Sequence, residues 1–142
     1  MRGQVRHEVR LNIQSHGDIV AARHEGRRVA LEMGFSPTDA TLIITAISEL
    51  ARNIVQYAGK GEIILSRGAC PPRQCLSIVA KDSGPGIPDT RKALQDGFST
   101  SGGLGLGLPG VRRLMDEFDL ESAPGKGTVV TLKKWLPGSN GD

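Results

Sequence analysis

The sequence predicts an α/β two-layer sandwich, a mixed but mostly antiparallel sheet carrying its helices on one face. Three observations predict it. The strand-like segments are joined by short proline- and glycine-bearing turns, which suit hairpins and do not demand the crossovers of a parallel sheet. The glycine-dense run Gly102-Gly103-Leu104-Gly105-Leu106-Gly107 falls late in the chain, outside the strand–GxGxxG–helix context of a dinucleotide-binding unit. No Gly-Lys-Ser/Thr follows it, so it is not a P-loop either.

The elements follow in order. Val9, Leu11 and Ile13 alternate with Arg10, Asn12 and Gln14, the period of two of a half-buried strand. Asp18 reads as the N-cap of a helix that runs to Met33 and is stopped by Gly34. Ser36 caps a second helix, and Pro37 sits at its first position, where a missing amide costs nothing. This helix should run to about Tyr57 and end near Gly59, burying Ile43, Ile47, Leu50 and Ile54 as one stripe. Residues 61–67 and 75–81 read as strands around a proline-rich turn, residues 108–118 as helix. Residues 120–123 and 128–135 read as a hairpin around Pro124-Gly125-Lys126-Gly127. With no repeat and no linker, residues 1–136 are expected to form one domain, followed by a polar tail over 137–142.

Composition narrows the function. The net charge of +3 is modest and mixed in sign, with one Trp, one Tyr and three Phe, which weighs against a nucleic-acid surface. Cys70 and Cys75 flank Pro-Pro-Arg-Gln with no histidine nearby, too few ligands for zinc, and are expected to be reduced and incidental. The first residues lack the apolar core of a signal peptide, and no stretch approaches a membrane span, so a cytoplasmic protein is expected.

Four motifs carry the chemistry. Glu49 and Asn53 lie one turn apart on the second helix, about 110° around from its apolar stripe and at the edge of the buried region. A carboxylate and an amide oxygen so placed can position a water, a hydroxyl or a magnesium ion, which takes oxygen ligands and keeps several waters. Asp82-Ser83-Gly84-Pro85-Gly86-Ile87 puts a carboxylate at a strand end and then turns sharply. The loop to Gly107 opens into a helix, a place for phosphate, and Gly125-Lys126-Gly127-Thr128 closes the set. Singly, each has an ordinary structural explanation: a solvated face, a turn, a lid, a hairpin. Together they place a nucleotide between a base-binding end and a phosphate-binding end.

That ordered set resembles the N, G1, G2 and G3 boxes of the GHKL ATP-binding superfamily, whose Bergerat fold is also that of histidine kinases. Ser48-Glu49-Leu50-Ala51-Arg52-Asn53, residues 82–89 and 97–105, Leu108-Pro109-Gly110-Val111 and Leu114-Met115-Asp116-Glu117-Phe118 resemble its RsbT branch, serine/threonine-protein kinases of bacterial stress-response partner switching. The resemblance covers nearly the whole chain apart from the tail and residues 68–74.

The resemblance implies the following roles. Asp82 accepts a hydrogen bond from the adenine amino group, and Gly84, Gly86 and Ile87 shape the turn at the base. Thr128 supports Asp82 or a water there. Ser99, Thr100, Gly102, Gly103, Leu104, Gly105, Leu106 and Gly107 enclose the phosphates of ATP, Asn53 ligates Mg²⁺, and Glu49 orients or deprotonates the acceptor hydroxyl. It also implies STAS-domain antagonist and co-antagonist substrates in a stressosome-like complex. A metal-dependent serine phosphatase is then activated after release. The alternative is a nucleotide-gated binding protein that acts by sequestration, as anti-sigma factors do. A histidine-kinase fragment fits less well, since His7, His16 and His24 belong to an already complete domain rather than to a preceding dimerisation helix.

Overall fold

The computed structural model describes residues 8–70, 73–87 and 107–137. Strand β1 (Glu8–Ile13) is followed by helices α1 (His16–Met33) and α2 (Pro37–Asn53), a π-helical turn (Ile54–Ala58), and strands β2 (Gly61–Cys70) and β3 (Arg73–Asp82). A short helix α3 (Leu108–Leu114) leads into the hairpin of β4 (Glu117–Ser122) and β5 (Thr128–Trp135). The five strands form one sheet in the order β1-β2-β3-β5-β4, and every neighbouring pair is antiparallel.

Alternation along the strands decides which face the helices cover. Ile63 and Leu65 of β2, Leu76, Ile78 and Ala80 of β3, and Val130 and Leu132 of β5 are buried with Ile43, Ile47, Leu50 and Ile54 of the predicted stripe. Burying each of the Val, Leu and Ile side chains is worth about 1.5–3 kcal/mol. The two long helices pack closely at Gly26 of α1, where a Cβ would overlap the Ile47 side chain of α2.

The termini of the helices show what the local sequence does. Helix α1 begins one turn before its expected start. Its N-cap is Ser15, whose hydroxyl accepts from the Asp18 amide, while the Asp18 carboxylate accepts from the Ser15 amide, a reciprocal capping box. Gly34 ends α1 as expected, in the left-handed conformation at φ 100°. Ser36 accepts from Asp39 N and Pro37 opens α2. The expected helix over 108–118 stops at Leu114, because Met115 is extended and Phe118 and Leu120 pair with Leu132 and Val130. Cross-strand burial outweighs the local helical preference of that segment.

The cysteines also differ from expectation. Strands β2 and β3 extend further than predicted, and their register sets Gly68 opposite Cys75, with Cys70 diagonal to it. Their Cα atoms are 5.8 Å apart, within disulfide reach, and the two sulfurs are bonded. The pair is neither free nor incidental: it ties the end of the hairpin, on the sheet face away from the helices. Trp135 pairs with Cys75 there, and the Arg73 guanidinium lies 5.4 Å from its ring centroid. Among the described residues no helix is long and apolar enough to cross a membrane.

Candidate functional site

A cavity of about 300 Å³ opens between the end of α2 and one end of the sheet. Its walls are Leu50, Ile54, Ala80, Leu108 and Val130, with Tyr57 and Ala58 from the π turn and Pro85, Gly86 and Ile87 from the turn after β3. Its polar groups are Asn53, Asp82 and Thr128. An apolar slot with few converging polar groups is the form that binds a flat, partly polar ligand.

Sheet register places the polar groups. Asp82, the last residue of β3, lies directly across from Thr128, the first of β5, and Thr128 lies across from Ser122, the last of β4. By alternation with Ala80, Val130 and Leu120, all three side chains emerge on the helix-covered face. Asp82 Oδ1 accepts from Gly84 N at 2.9 Å, which fixes the carboxylate as the chain leaves the strand.

Close packing holds this end of the sheet together. Gly86 has φ 81° and Gly127 φ 78°, and a Cβ on either would overlap backbone, the Ala123 carbonyl in one case and the Asp82 carbonyl in the other. Gly125 N donates to Pro85 O at 2.7 Å, and Ile87 N donates to Ser122 Oγ at 2.7 Å. The β4–β5 turn and the turn after β3, which lines the cavity, are thus laced together.

Helix α2 supplies the other wall. Asn53 is its last residue, its side-chain oxygen is buried, and the π turn begins immediately after it, widening the helix where it borders the cavity. Glu49, one turn earlier, is not on the cavity wall. Its Oε1 accepts from Arg52 Nη1 at 2.8 Å, and its carboxylate lies against Gly107, the left-handed residue that caps α3.

The structure therefore brings Asn53, Asp82, Gly86, Ile87 and Thr128 to one cavity, with Glu49 and Gly107 together beside it. Gly84 sits behind Asp82, where a Cβ would press on Ala58 at 2.7 Å, and does not line the cavity. Ser99, Thr100, Gly102, Gly103, Leu104, Gly105 and Leu106 lie outside the described residues. Sequence reasoning missed Tyr57, Pro85 and Ser122. The first ends a helical apolar pattern, the second lies inside a motif already quoted, and Ser122 carries no local signal at all.

Residues 38–138 match the family described as histidine kinase-, DNA gyrase B-, and HSP90-like ATPase. The chain is 59% identical over 126 residues to the serine/threonine-protein kinase RsbT of Bacillus subtilis, covering 89% of this chain and 95% of that protein. It is 36% identical over 98 residues to an anti-sigma F factor of Caldanaerobacter subterraneus, covering 66% of this chain and 68% of that one. In fold it is similar to SiaB–SiaC from Pseudomonas aeruginosa, with a TM-score of 0.54 at 16% identity over 90% of this chain and 89% of the other. The RsbU and RsbW domains of a Mycobacterium tuberculosis protein give 0.55 at 20% identity, over 92% of this chain and 34% of that one.

Proposed function

The chain belongs to the histidine kinase-, DNA gyrase B-, and HSP90-like ATPase family and is a serine/threonine-protein kinase of the RsbT kind, and we propose how its site works. The adenine of ATP enters the apolar slot and presents its amino group to Asp82 and Thr128. The observation that supports this is the lateral pairing of those two residues at the polar end of an otherwise apolar cavity. A hydrogen bond to the Asp82 carboxylate is worth about 1.5–3 kcal/mol.

The phosphates then point toward Asn53 and the N-terminus of α3. Asn53 offers a neutral amide oxygen, a hard donor that suits magnesium when phosphate oxygens and waters complete the shell. Asn53 would hold Mg²⁺, which neutralises charge on the phosphate oxygens. Glu49, held by Arg52, orients or takes the proton of an incoming serine or threonine hydroxyl. Phosphoryl transfer depends mostly on positioning and charge neutralisation, which these groups supply.

The substrates in this reading are STAS-domain antagonist and co-antagonist proteins of a stressosome-like, cytoplasmic complex. Release from them lets the kinase bind and activate a metal-dependent serine phosphatase. A second reading has support in the likeness to anti-sigma F factor: a protein that uses nucleotide to gate sequestration of its partner. Incubation of the purified protein with magnesium, labelled ATP and a STAS-domain protein encoded beside its gene tests both. Label on a serine or threonine of that protein supports the kinase cycle. Tight binding of the partner with nucleotide but without label would move the reading to sequestration.

A further inference from the structure

We infer that Ser122 is a positioning residue that makes the Asp82–Thr128 end of the cavity acceptor-only, and thereby sets its preference for a 6-amino over a 6-oxo purine. This rests on the placement of the base against Asp82 and Thr128.

The argument is a count of protons. A serine hydroxyl has one proton to give and two lone pairs. Ser122 Oγ lies 2.7 Å from Ile87 N, which can only donate to it. It lies 2.8 Å from Gly127 O, which can only accept, so the one Ser122 proton goes there. The third contact is Thr128 Oγ1 at 2.9 Å. With its proton committed, Ser122 can only accept from Thr128. Ser122 is then saturated, with two bonds accepted and one donated.

The consequence falls on Thr128. Its hydroxyl proton points away along the sheet toward Ser122, and its lone pairs are what remain for the cavity. Beside it, Asp82 has one oxygen engaged by Gly84 N and one left over, also an acceptor. Two acceptors on adjacent strands match an exocyclic amine, which carries two N–H groups. They oppose a carbonyl at the same position. Without Ser122 the Thr128 hydroxyl can rotate and donate, and the wall becomes tolerant of either group.

The test compares binding of ATP and inosine triphosphate, by calorimetry, to the full chain as wild type, Ser122→Ala, Thr128→Val and the double variant. The wild type should prefer ATP by at least about tenfold. Ser122→Ala should lose most of that preference, chiefly because inosine triphosphate binds more tightly. In the Thr128→Val background the same change should leave the ratio within about twofold, since the hydroxyl it frees is gone. Ser122→Thr, which keeps a hydroxyl, should restore the preference. If Ser122→Ala weakens both nucleotides equally, Ser122 only braces the hairpin and the inference is overturned while the base placement stands. If the wild type shows no preference, the base placement itself is wrong and the inference falls with it. Should the alanine variant not fold, Ser122→Cys, with its weak S–H donor, carries the same comparison.

Discussion

The Glu49 carboxylate rests directly on Gly107: a Cβ added to Gly107 would lie 2.6 Å from Glu49 Oε2 and 2.8 Å from its carboxyl carbon. Gly107 also has φ 65°, so two independent reasons exclude a side chain there. The residue that would handle the acceptor hydroxyl is therefore positioned by the residue that starts the phosphate-side helix. In the proposed reading, base-side binding and phosphate-side chemistry come from different contacts and can be separated by mutation.

Gly107→Ala should cost about 1–3 kcal/mol of stability from the positive φ and push Glu49 off its seat. Thermal melting of the variant should show the loss. A transfer assay below its melting temperature should show a decline larger than any change in ATP affinity.

Glu49→Gln should leave ATP affinity within a few-fold of wild type, because Glu49 is not on the cavity wall. Phosphoryl transfer to the partner should fall by about 10²–10⁴, the usual worth of a positioned proton acceptor. Retained transfer would make Glu49 a structural partner of Arg52 alone.

Asp82→Asn keeps an oxygen for the Gly84 amide but replaces the other carboxylate oxygen with a donor. ATP affinity should drop by roughly 10- to 150-fold, the equivalent of about 1.5–3 kcal/mol, with little change in melting temperature. Calorimetry alongside a melt checks both halves.

Reduction of the Cys70–Cys75 bond should lower stability by about 2 kcal/mol, the loop-entropy value for so short a closure. ATP binding should not change. Cys75 and Asp82 stand near opposite ends of β3, about 23 Å apart along the strand. A melt and a binding titration with and without dithiothreitol make the comparison.

What could be read from the sequence was what depends on neighbours in the chain. Ser36-Pro37 gave the start of α2, and the spacing of Ile43, Ile47, Leu50 and Ile54 gave its buried face. Asp82 and Thr128 stood out because each stands at the end of a strand beside a glycine-bearing turn. Asp18 reads as a cap because Asp caps well, yet the N-cap is Ser15 three residues earlier, and the two residues cap jointly. The disulfide depended on hairpin register beyond Arg67, and the end of α3 on pairing with β5, neither of which local pattern encodes. Ser122, in Glu-Ser-Ala-Pro, is an ordinary turn serine until the register sets it beside Thr128.

Strand β5 is made after β4 yet sits between β3 and β4. Until it is in place, Asp82 has Gly61 of β2 on one side but no Thr128 on the other, and Ser122 has no threonine to orient, so in the proposed reading the adenine end of the site waits on β5. The pairing of β3 with β5 also spans a long stretch of intervening chain, the kind of closure that comes slowly. A product that stopped after Ser122 would expose unsatisfied edges on β3 and β4 and invite aggregation. In the proposed reading, nucleotide capture therefore reports that β5 has been inserted between β3 and β4.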